Sequence, residues 1–233
     1  MSKIIVPQHV AIIPDGNRRW AKDNSVATKE GHRRGVETFR LVVNHAADRG
    51  VESISMWGMS LDNFIRRSPL EIRDLLDIFN HQFQDMLEDD DIHNRGIRVR
   101  IFGRWREKFP RKLVSLMNEV ESVTKKYSNY ALNLLLAYNG TDEMTQAVQR
   151  IVDSGKRRVT SRMIKNNLFT KDVPPVDLLV RTGGQPHLSA GFMMWDIADA
   201  EFHFTETYWP AFGTKDFDVA IEDFAGRKRS RGK

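Results

Sequence analysis

Seven consecutive residues, Pro14-Asp15-Gly16-Asn17-Arg18-Arg19-Trp20, place a carboxylate, a glycine, an amide and two guanidiniums directly behind the apolar run His9–Ile13. A strand that ends in such a loop and leads to a helix start turns backbone N–H groups and cationic forks toward an anion. The helix dipole adds to that field. The loop is not a Walker motif, which needs Gly-x-x-x-x-Gly-Lys, nor a dinucleotide fingerprint. Phosphate binding is the chemistry on offer. Asp15 also has a plain alternative, as N-cap of the following helix.

The elements that must position this loop alternate along the chain. The strand His9–Ile13 is followed by a helix over 30–49, whose apolar face is Val36, Phe39, Val43, Ala46 and Ala47, with Gly50 at its stop. A second strand spans 51–59. A long helix starts at Pro69 with Ile72, Leu75, Leu76, Phe79, Phe83, Met86 and Leu87 at helical spacing, and the acidic run 88–91 opposes its C-terminal dipole and ends it. A third strand is expected over Ile97–Phe102, a helix behind Pro110, and a fourth strand, apolar on both faces, over 132–137. Helices over 142–154 and 160–169, a fifth strand over 176–180 and a last helix over 214–227 complete the pattern. Strand and helix in alternation imply right-handed crossovers, hence a single α/β domain over 1–233 with a mostly parallel central sheet flanked by helices.

Ligands of such sheets bind outside the carboxyl ends of the strands. Behind the second strand stand Ser60, Asp62, Asn63, Phe64, Arg66 and Arg67; behind the fourth, Tyr138, Asn139 and Gly140; behind the fifth, Arg181, Thr182, Gly183 and Gly184. Three of four strand ends therefore pair arginine with hydroxyls, amides or glycine, which suits one or two ligands carrying several negative charges. No nucleophile accompanies them. There is no cysteine, no Gly-x-Ser-x-Gly elbow and no His-Glu-x-x-His pair. A lone acid among phosphate-binding arginines fits a Mg²⁺ that takes few protein ligands and bridges phosphate oxygens. Departure of diphosphate, assisted by Mg²⁺ and arginine, needs these parts.

Composition sets the outer bounds. The 233 residues are 40% hydrophobic and 29% charged, as in a soluble globular protein. No apolar run approaches the roughly 18–20 residues that cross a bilayer, and the first seven residues do not read as a signal peptide. Without cysteine there is no disulfide framework, and a cytoplasmic location is expected. The net charge of +5 is uneven: residues 223–233 hold five Lys/Arg against one Asp. Such a tail is either simply solvated or touches an anionic membrane or nucleic acid. Arginines elsewhere stand singly beside glycine, serine and aromatics, which suits small anions better than a nucleic-acid groove.

Five separated motifs, in order over nearly the whole chain, resemble the cis-prenyltransferases, the undecaprenyl and polyprenyl diphosphate synthase family. They are HVAIIPDGNRRWAK, Gly31-His32, Ser60-x-Asp62-Asn63-Phe64-x-Arg66, VDLLVRTGG at 176–184 and WDIADAEFHFTETYWP at 195–210. The resemblance implies a Mg²⁺-dependent homodimer with a hydrophobic tunnel, condensing an allylic prenyl diphosphate with isopentenyl diphosphate. It implies no nucleic-acid partner, and membrane contact only through a lipid product or the basic C-terminus. By the same resemblance Asp15 and Glu201 are the Mg²⁺-linked carboxylates. Gly16, Asn17, Arg18, Arg19 and Trp20 hold the allylic diphosphate, with His32, Phe64 and Arg66 near it. Ser60 and Asn63 sit beside the reacting carbons, Asn63 being placed for proton removal, while Arg181, His187 and Ser189 hold the second diphosphate.

The chain also departs from the family pattern. Thr28 stands where an arginine is usual, four residues before Gly-His, Phe64 replaces the common tryptophan, and 137–141 reads Ala-Tyr-Asn-Gly-Thr. The segment 185–191 lacks the usual arginine near His187, and a histidine replaces it only when protonated. Two phosphate-binding arginines are thus absent, each a contact worth roughly 1.5–3 kcal/mol. The first diphosphate site is expected intact and the second altered. Three expectations follow: regular cis condensation to a short or medium chain, with Leu134, Leu135 and Leu136 narrowing the tunnel; irregular condensation or a different acceptor; or a non-catalytic subunit, against which the complete Asp15 loop argues.

Overall fold

A computed structural model of the chain describes residues 5–227, so the basic segment beyond Arg227 lies outside the described residues. The order is β1 (His9–Ile13), α1 (Asn17–Asp23), α2 (Thr28–Asp48), β2 (Ser53–Met59), α3 (Leu61–Arg66), α4 (Pro69–Glu88), α5 (Asp90–Arg95), β3 (Ile97–Phe102), α6 (Trp105–Lys108) and α7 (Arg111–Thr124). It continues with β4 (Tyr130–Leu136), α8 (Gly140–Asp153), α9 (Ser161–Asn167), β5 (Leu178–Arg181), β6 (Glu201–Phe204) and α10 (Thr214–Gly226). Among the described residues six strands form one sheet in the order β3-β4-β2-β1-β5-β6, and every pairing is parallel.

The α/β expectation holds, with local differences. β6 was not foreseen: it is a four-residue edge strand, Glu-Phe-His-Phe, only partly covered, so it carries neither a long apolar run nor a buried face. The acidic run does end α4, yet it also has a use of its own. Asp89 caps α5 by accepting from the backbone N–H groups of Asp91 (2.9 Å) and Ile92 (3.2 Å), and Asp90 and Asp91 fill that helix's first turn, where negative charge is favoured.

Alternation along the strands sorts the core into two faces. Val10, Ile12, Ile54, Met56, Leu132, Leu134 and Leu136 pack with apolar residues of α2, α4, α7 and α10. Ala11, Ile13, Trp57 and Leu135 pack on the other face with Val173, Val176, Phe192, Met193 and Ile197. A row of polar groups is also buried on this second face. Arg100 Nε donates to Asn133 Oδ1 (2.9 Å), and Asn133 Nδ2 donates to Ser53 Oγ and Ser55 Oγ (3.0 and 3.1 Å). His9 Nε2 lies 2.8 Å from Ser55 Oγ while its Nδ1 donates to the Pro174 carbonyl at 2.9 Å. The row is hydrogen-bonded from strand to strand, which is what makes its burial tolerable. No helix of the described residues is long and apolar enough to cross a membrane.

β1 lies between β2 on one side and β5 on the other, so the sheet changes its winding direction there. The carboxyl ends of β1 and β5 flank the crevice that such a reversal opens.

Candidate active site

The loop after β1 is held by backbone and close packing. Asp15 N donates to Thr182 Oγ1 (2.9 Å), the Thr182 hydroxyl lies 2.7 Å from the Asp15 carbonyl, and Trp209 N donates to that carbonyl at 2.9 Å. Gly16 has φ +108°, and a Cβ there would meet the Tyr208 ring at 2.7 Å, so only glycine fits. Gly16 precedes α1 without any side-chain cap. Asp15 is therefore not a capping residue. α1 is also only seven residues long, so its dipole adds less to the field than the cations around it.

Asp15 stands between two guanidiniums. Its Oδ1 is 3.1 Å from Arg19 Nη2, and its Oδ2 accepts from Arg181 Nη2 at 2.9 Å. Arg19 also lies over the Tyr208 ring, 5.1 Å from its centre. The Arg181 side chain is only 5% exposed; its Nη1 donates to Ser189 Oγ (2.9 Å) and to the His187 carbonyl, while Nε has no partner in the protein. One arginine thus ties the first loop to the segment after β5.

These groups rim a cavity of about 950 Å³. Its wall carries, beyond the carboxyl ends of the strands, Arg18, Arg19, Lys22, Arg66, Arg67 and Arg181 with the carboxylates Asp15 and Asp62. Its depth is apolar, between α2 and α4 and the sheet face bearing Met56, Leu134 and Leu136, with Leu75, Ile78, Phe79, Phe83 and Met86 contributed by α4. A polyanionic head bound at the rim would thread an apolar tail inward.

Eleven of the residues singled out from sequence line this cavity: Asp15, Gly16, Asn17, Arg18, Arg19, His32, Ser60, Asn63, Arg66, Arg181 and Ser189. Asn17 Oδ1 is buried without a partner, and Gly35 makes room for it. Ser60 has a structural duty as well, its Oγ accepting from Asn63 N at 2.9 Å to cap α3. His32 is pushed down to about 4 by burial and then by the nearby Arg67, so it is neutral at pH 7.

Four of the sequence-derived residues are not in the cavity wall. Trp20 is partly buried on α1, Phe64 packs on Phe109 with ring centres 5.8 Å apart, and the His187 side chain is exposed. Glu201 opens β6 opposite Leu178 and pairs with Arg227 at 2.9 Å. With strand residues rising about 3.3 Å each, it lies roughly 10 Å below the level of Arg181. No group of three or more metal-ligating side chains occurs among the described residues. The tunnel expectation is corrected at one position: Leu134 and Leu136 line the cavity, whereas Leu135 points into the opposite core, as strand alternation requires. Lys22 was missed although it lies one helical turn beyond Arg18 and Arg19, and Tyr208 left no signal outside its motif.

The segment after β5 is anchored from behind. Phe192 stacks on Trp57 (5.0 Å) and meets Tyr138 edge-on (6.3 Å). The Gly191 carbonyl sits so close to Gly140 that a Cβ there would stand 1.7 Å from it. Below lies a buried network: Tyr138 Oη donates to Glu143 Oε2 (2.5 Å), and Thr170 Oγ1 lies 3.0 Å from Glu143 Oε1 and 2.6 Å from Asp196 Oδ2. Lys165 Nζ donates to Asp196 Oδ1 (2.5 Å). Burial raises both carboxyls above their usual range and Tyr138 well above its own.

A family model described as putative undecaprenyl diphosphate synthase matches residues 13–232. An isoprenyl transferase of Aquifex pyrophilus is 36% identical over 228 residues, covering 98% of this chain and 96% of the relative. A tritrans,polycis-undecaprenyl-diphosphate synthase (geranylgeranyl-diphosphate specific) of Pyrococcus abyssi is 34% identical, covering 98% of this chain and 88% of the relative. Among solved structures, lavandulyl diphosphate synthase from Lavandula x intermedia, in complex with dimethylallyl diphosphate, superposes with a TM-score of 0.91. It is 28% identical and covers 98% of this chain and 99% of its own.

Proposed function

The chain belongs to the undecaprenyl diphosphate synthase family of cis-prenyltransferases, and from that premise we propose that it joins an allylic prenyl diphosphate to isopentenyl diphosphate. The allylic C–O bond breaks, a C–C bond forms to the acceptor's terminal alkene carbon, and diphosphate and one proton leave. The observation that carries this reading is the cavity itself, lined by six cationic side chains about the strand ends and by the apolar face of α4 and the sheet. Developing negative charge on the departing diphosphate would meet fixed guanidiniums, the kind of preorganised field that lowers a barrier most. The apolar interior would exclude water from the allylic cation.

Arg18, Arg19 and Arg66 would hold the allylic diphosphate, with Asn17 and the neutral His32 as hydrogen-bonding partners. Arg181 and Ser189 would hold the acceptor's. Asn63, whose side chain lies in the cavity wall, would take part in proton removal. Asp15 offers a hard, partly exposed carboxylate in the midst of these groups. That donor set fits a Mg²⁺ held by one protein oxygen and otherwise by water and diphosphate oxygens, not a closed cage. When bound, the ion would neutralise diphosphate charge. The homodimer that the resemblance implies stays part of the proposal, to be tested by sedimentation.

A second reading is favoured by one specific arrangement. Arg181 at the end of β5 and Ser189 in the segment 185–191 line the cavity where an acceptor would sit, but the His187 side chain turns outward and only its carbonyl is engaged. A second allylic diphosphate as acceptor would give a branched, irregular product, and the fold is shared with lavandulyl diphosphate synthase, solved in complex with dimethylallyl diphosphate. Incubation of the pure protein with Mg²⁺, isopentenyl diphosphate and allylic primers of C5 to C20 decides between the two. A regular cis chain is expected. A branched product formed from allylic diphosphate alone sinks the first reading, and no prenyl product of any kind sinks both.

A further inference from the structure

The stretch after β2 carries two adjacent arginines with different fates. α3 ends at Arg66; Arg67 is extended (φ −74°, ψ 158°), and Ser68 then caps α4 ahead of Pro69. The extended step parts the two side chains. Arg66 remains on the exposed side of α3, whereas the Arg67 side chain is 19% exposed, and both reach the cavity wall.

Arg67 Nη1 lies 3.1 Å from Glu71 Oε1, one turn along α4, and the same oxygen is 3.5 Å from His32 Nε2 on α2. Neither the Arg67 Nε, the His32 Nε2 nor that Glu71 oxygen completes a well-aligned hydrogen bond within the protein, although all three are shielded from solvent. A guanidinium withdrawn from water with an unused N–H is costly unless an anion meets it. Burial is the main influence loosening Arg67's hold on its proton, opposed by Glu71 and reinforced by Arg18. Arginine nonetheless stays charged at neutral pH, while His32 does not. In this trio the fixed positive charge is therefore Arg67.

We propose that Arg67 binds the diphosphate of the allylic substrate, with Glu71 fixing the plane of its guanidinium and His32 adding a neutral ring N–H. The assignment rests on reading this end of the cavity as the allylic site. It adds to that site a cation from the α3–α4 junction, independent of the loop after β1. The competing view is that Arg67 and Glu71 are only an i,i+4 pair that fastens the junction. Thr28 offers a way to separate the two. It lies one turn before His32 on the same face of α2 and lines the same cavity, with a hydroxyl and no charge.

The experiment is calorimetric binding of farnesyl diphosphate without isopentenyl diphosphate, paired with steady-state kinetics. Arg67→Ala is expected to weaken binding roughly 10- to 100-fold, the loss of one charge-assisted contact. The KM for isopentenyl diphosphate should move less than twofold. Thr28→Arg added to Arg67→Ala should restore at least a tenfold part of the affinity, while Thr28→Arg alone should gain less than about threefold; a fastening role would give the same gain in both backgrounds. If wild type binds the probe and Arg67→Ala binds it equally, the assignment is overturned while the site reading stands. Weakened binding with a lowered melting temperature and no rescue by Thr28→Arg also overturns it, in favour of the structural pair. If wild type does not bind the probe at all, the reading of the allylic site fails first.

Discussion

The Arg181 guanidinium and the Asp15 carboxylate meet at 2.9 Å across 166 residues of sequence, and the same guanidinium reaches Ser189 Oγ at 2.9 Å on its other branch. A planar fork offers each partner its own nitrogen in a fixed direction, which a single ammonium nitrogen does not. The contact joins the end of β1 to the segment after β5, so the two regions proposed to bind diphosphate are mechanically one.

Asp15→Asn keeps the volume and removes the charge. Turnover with Mg²⁺ and both substrates should fall on the order of 100- to 1,000-fold, with a melting temperature close to wild type because the residue is partly exposed and caps no helix. Undiminished kcat in this variant would show that Asp15 has no part in the chemistry.

Leu136 and Leu135 are neighbours with opposite faces. Leu136→Ala should deepen the cavity and lengthen the principal product by one or more isoprene units, read by mass spectrometry of the extracted lipid. Leu135→Ala should leave product length alone and cost about 2–5 kcal/mol of stability through a cavity in the opposite core. Equal product profiles for wild type and Leu136→Ala count against the tunnel.

Stability should depend on pH through two buried histidines. His9 is lowered to about 4, burial being the main cause, and His32 likewise. Between the unfolded value near 6.5 and the folded value near 4 the unfolded chain binds more protons, so stability is lost as pH falls through that window. Each shift corresponds to about 3–3.5 kcal/mol at full expression. Melting temperatures measured from pH 7.5 to 4.5 should fall, and His9→Asn should flatten the slope; an unchanged slope would remove His9 from the account.

Thr170 has a single hydroxyl hydrogen to share between Glu143 and Asp196, and burial raises both carboxyls. A hydrogen held on Glu143 would complete the set, so Glu143→Gln should lie within about 1 kcal/mol of wild type near neutral pH. Glu143→Ala leaves Tyr138 Oη and Thr170 N without an acceptor and should cost about 2 kcal/mol or more. Urea unfolding of the two variants checks the ranking, and a Gln variant as weak as the Ala variant reverses it.

Much of this arrangement was legible in the residues. Apolar runs and helical spacing located β1 to β5 and the long helices, because each buries a continuous face; the strand-end rule brought nine of the eleven site residues to one cavity, and the family resemblance added His32 and Ser189. β6 escaped because a short edge strand buries too little to leave a pattern. Glu201 and His187 illustrate a second limit: a motif says which residues recur, while the register of β6 and the turn after Gly184 decide which way they point. Arg67 was visible as a residue but not as a buried one, since only the extended link between α3 and α4 turns it away from Arg66.

The position of β1 inside a wholly parallel sheet has a consequence for how the protein is made. A parallel sheet contains no hairpins, so every strand pairing must be closed across a long loop, and such contacts form slowly. Until residues 178–181 have left the ribosome, β1 has a partner on one side only and stands as an apolar edge open to other chains. Asp15 gains Arg181 and Thr182 in the same late step. Catalytic competence should therefore appear only near the end of synthesis, and the unfinished chain is the stage at which aggregation should concentrate.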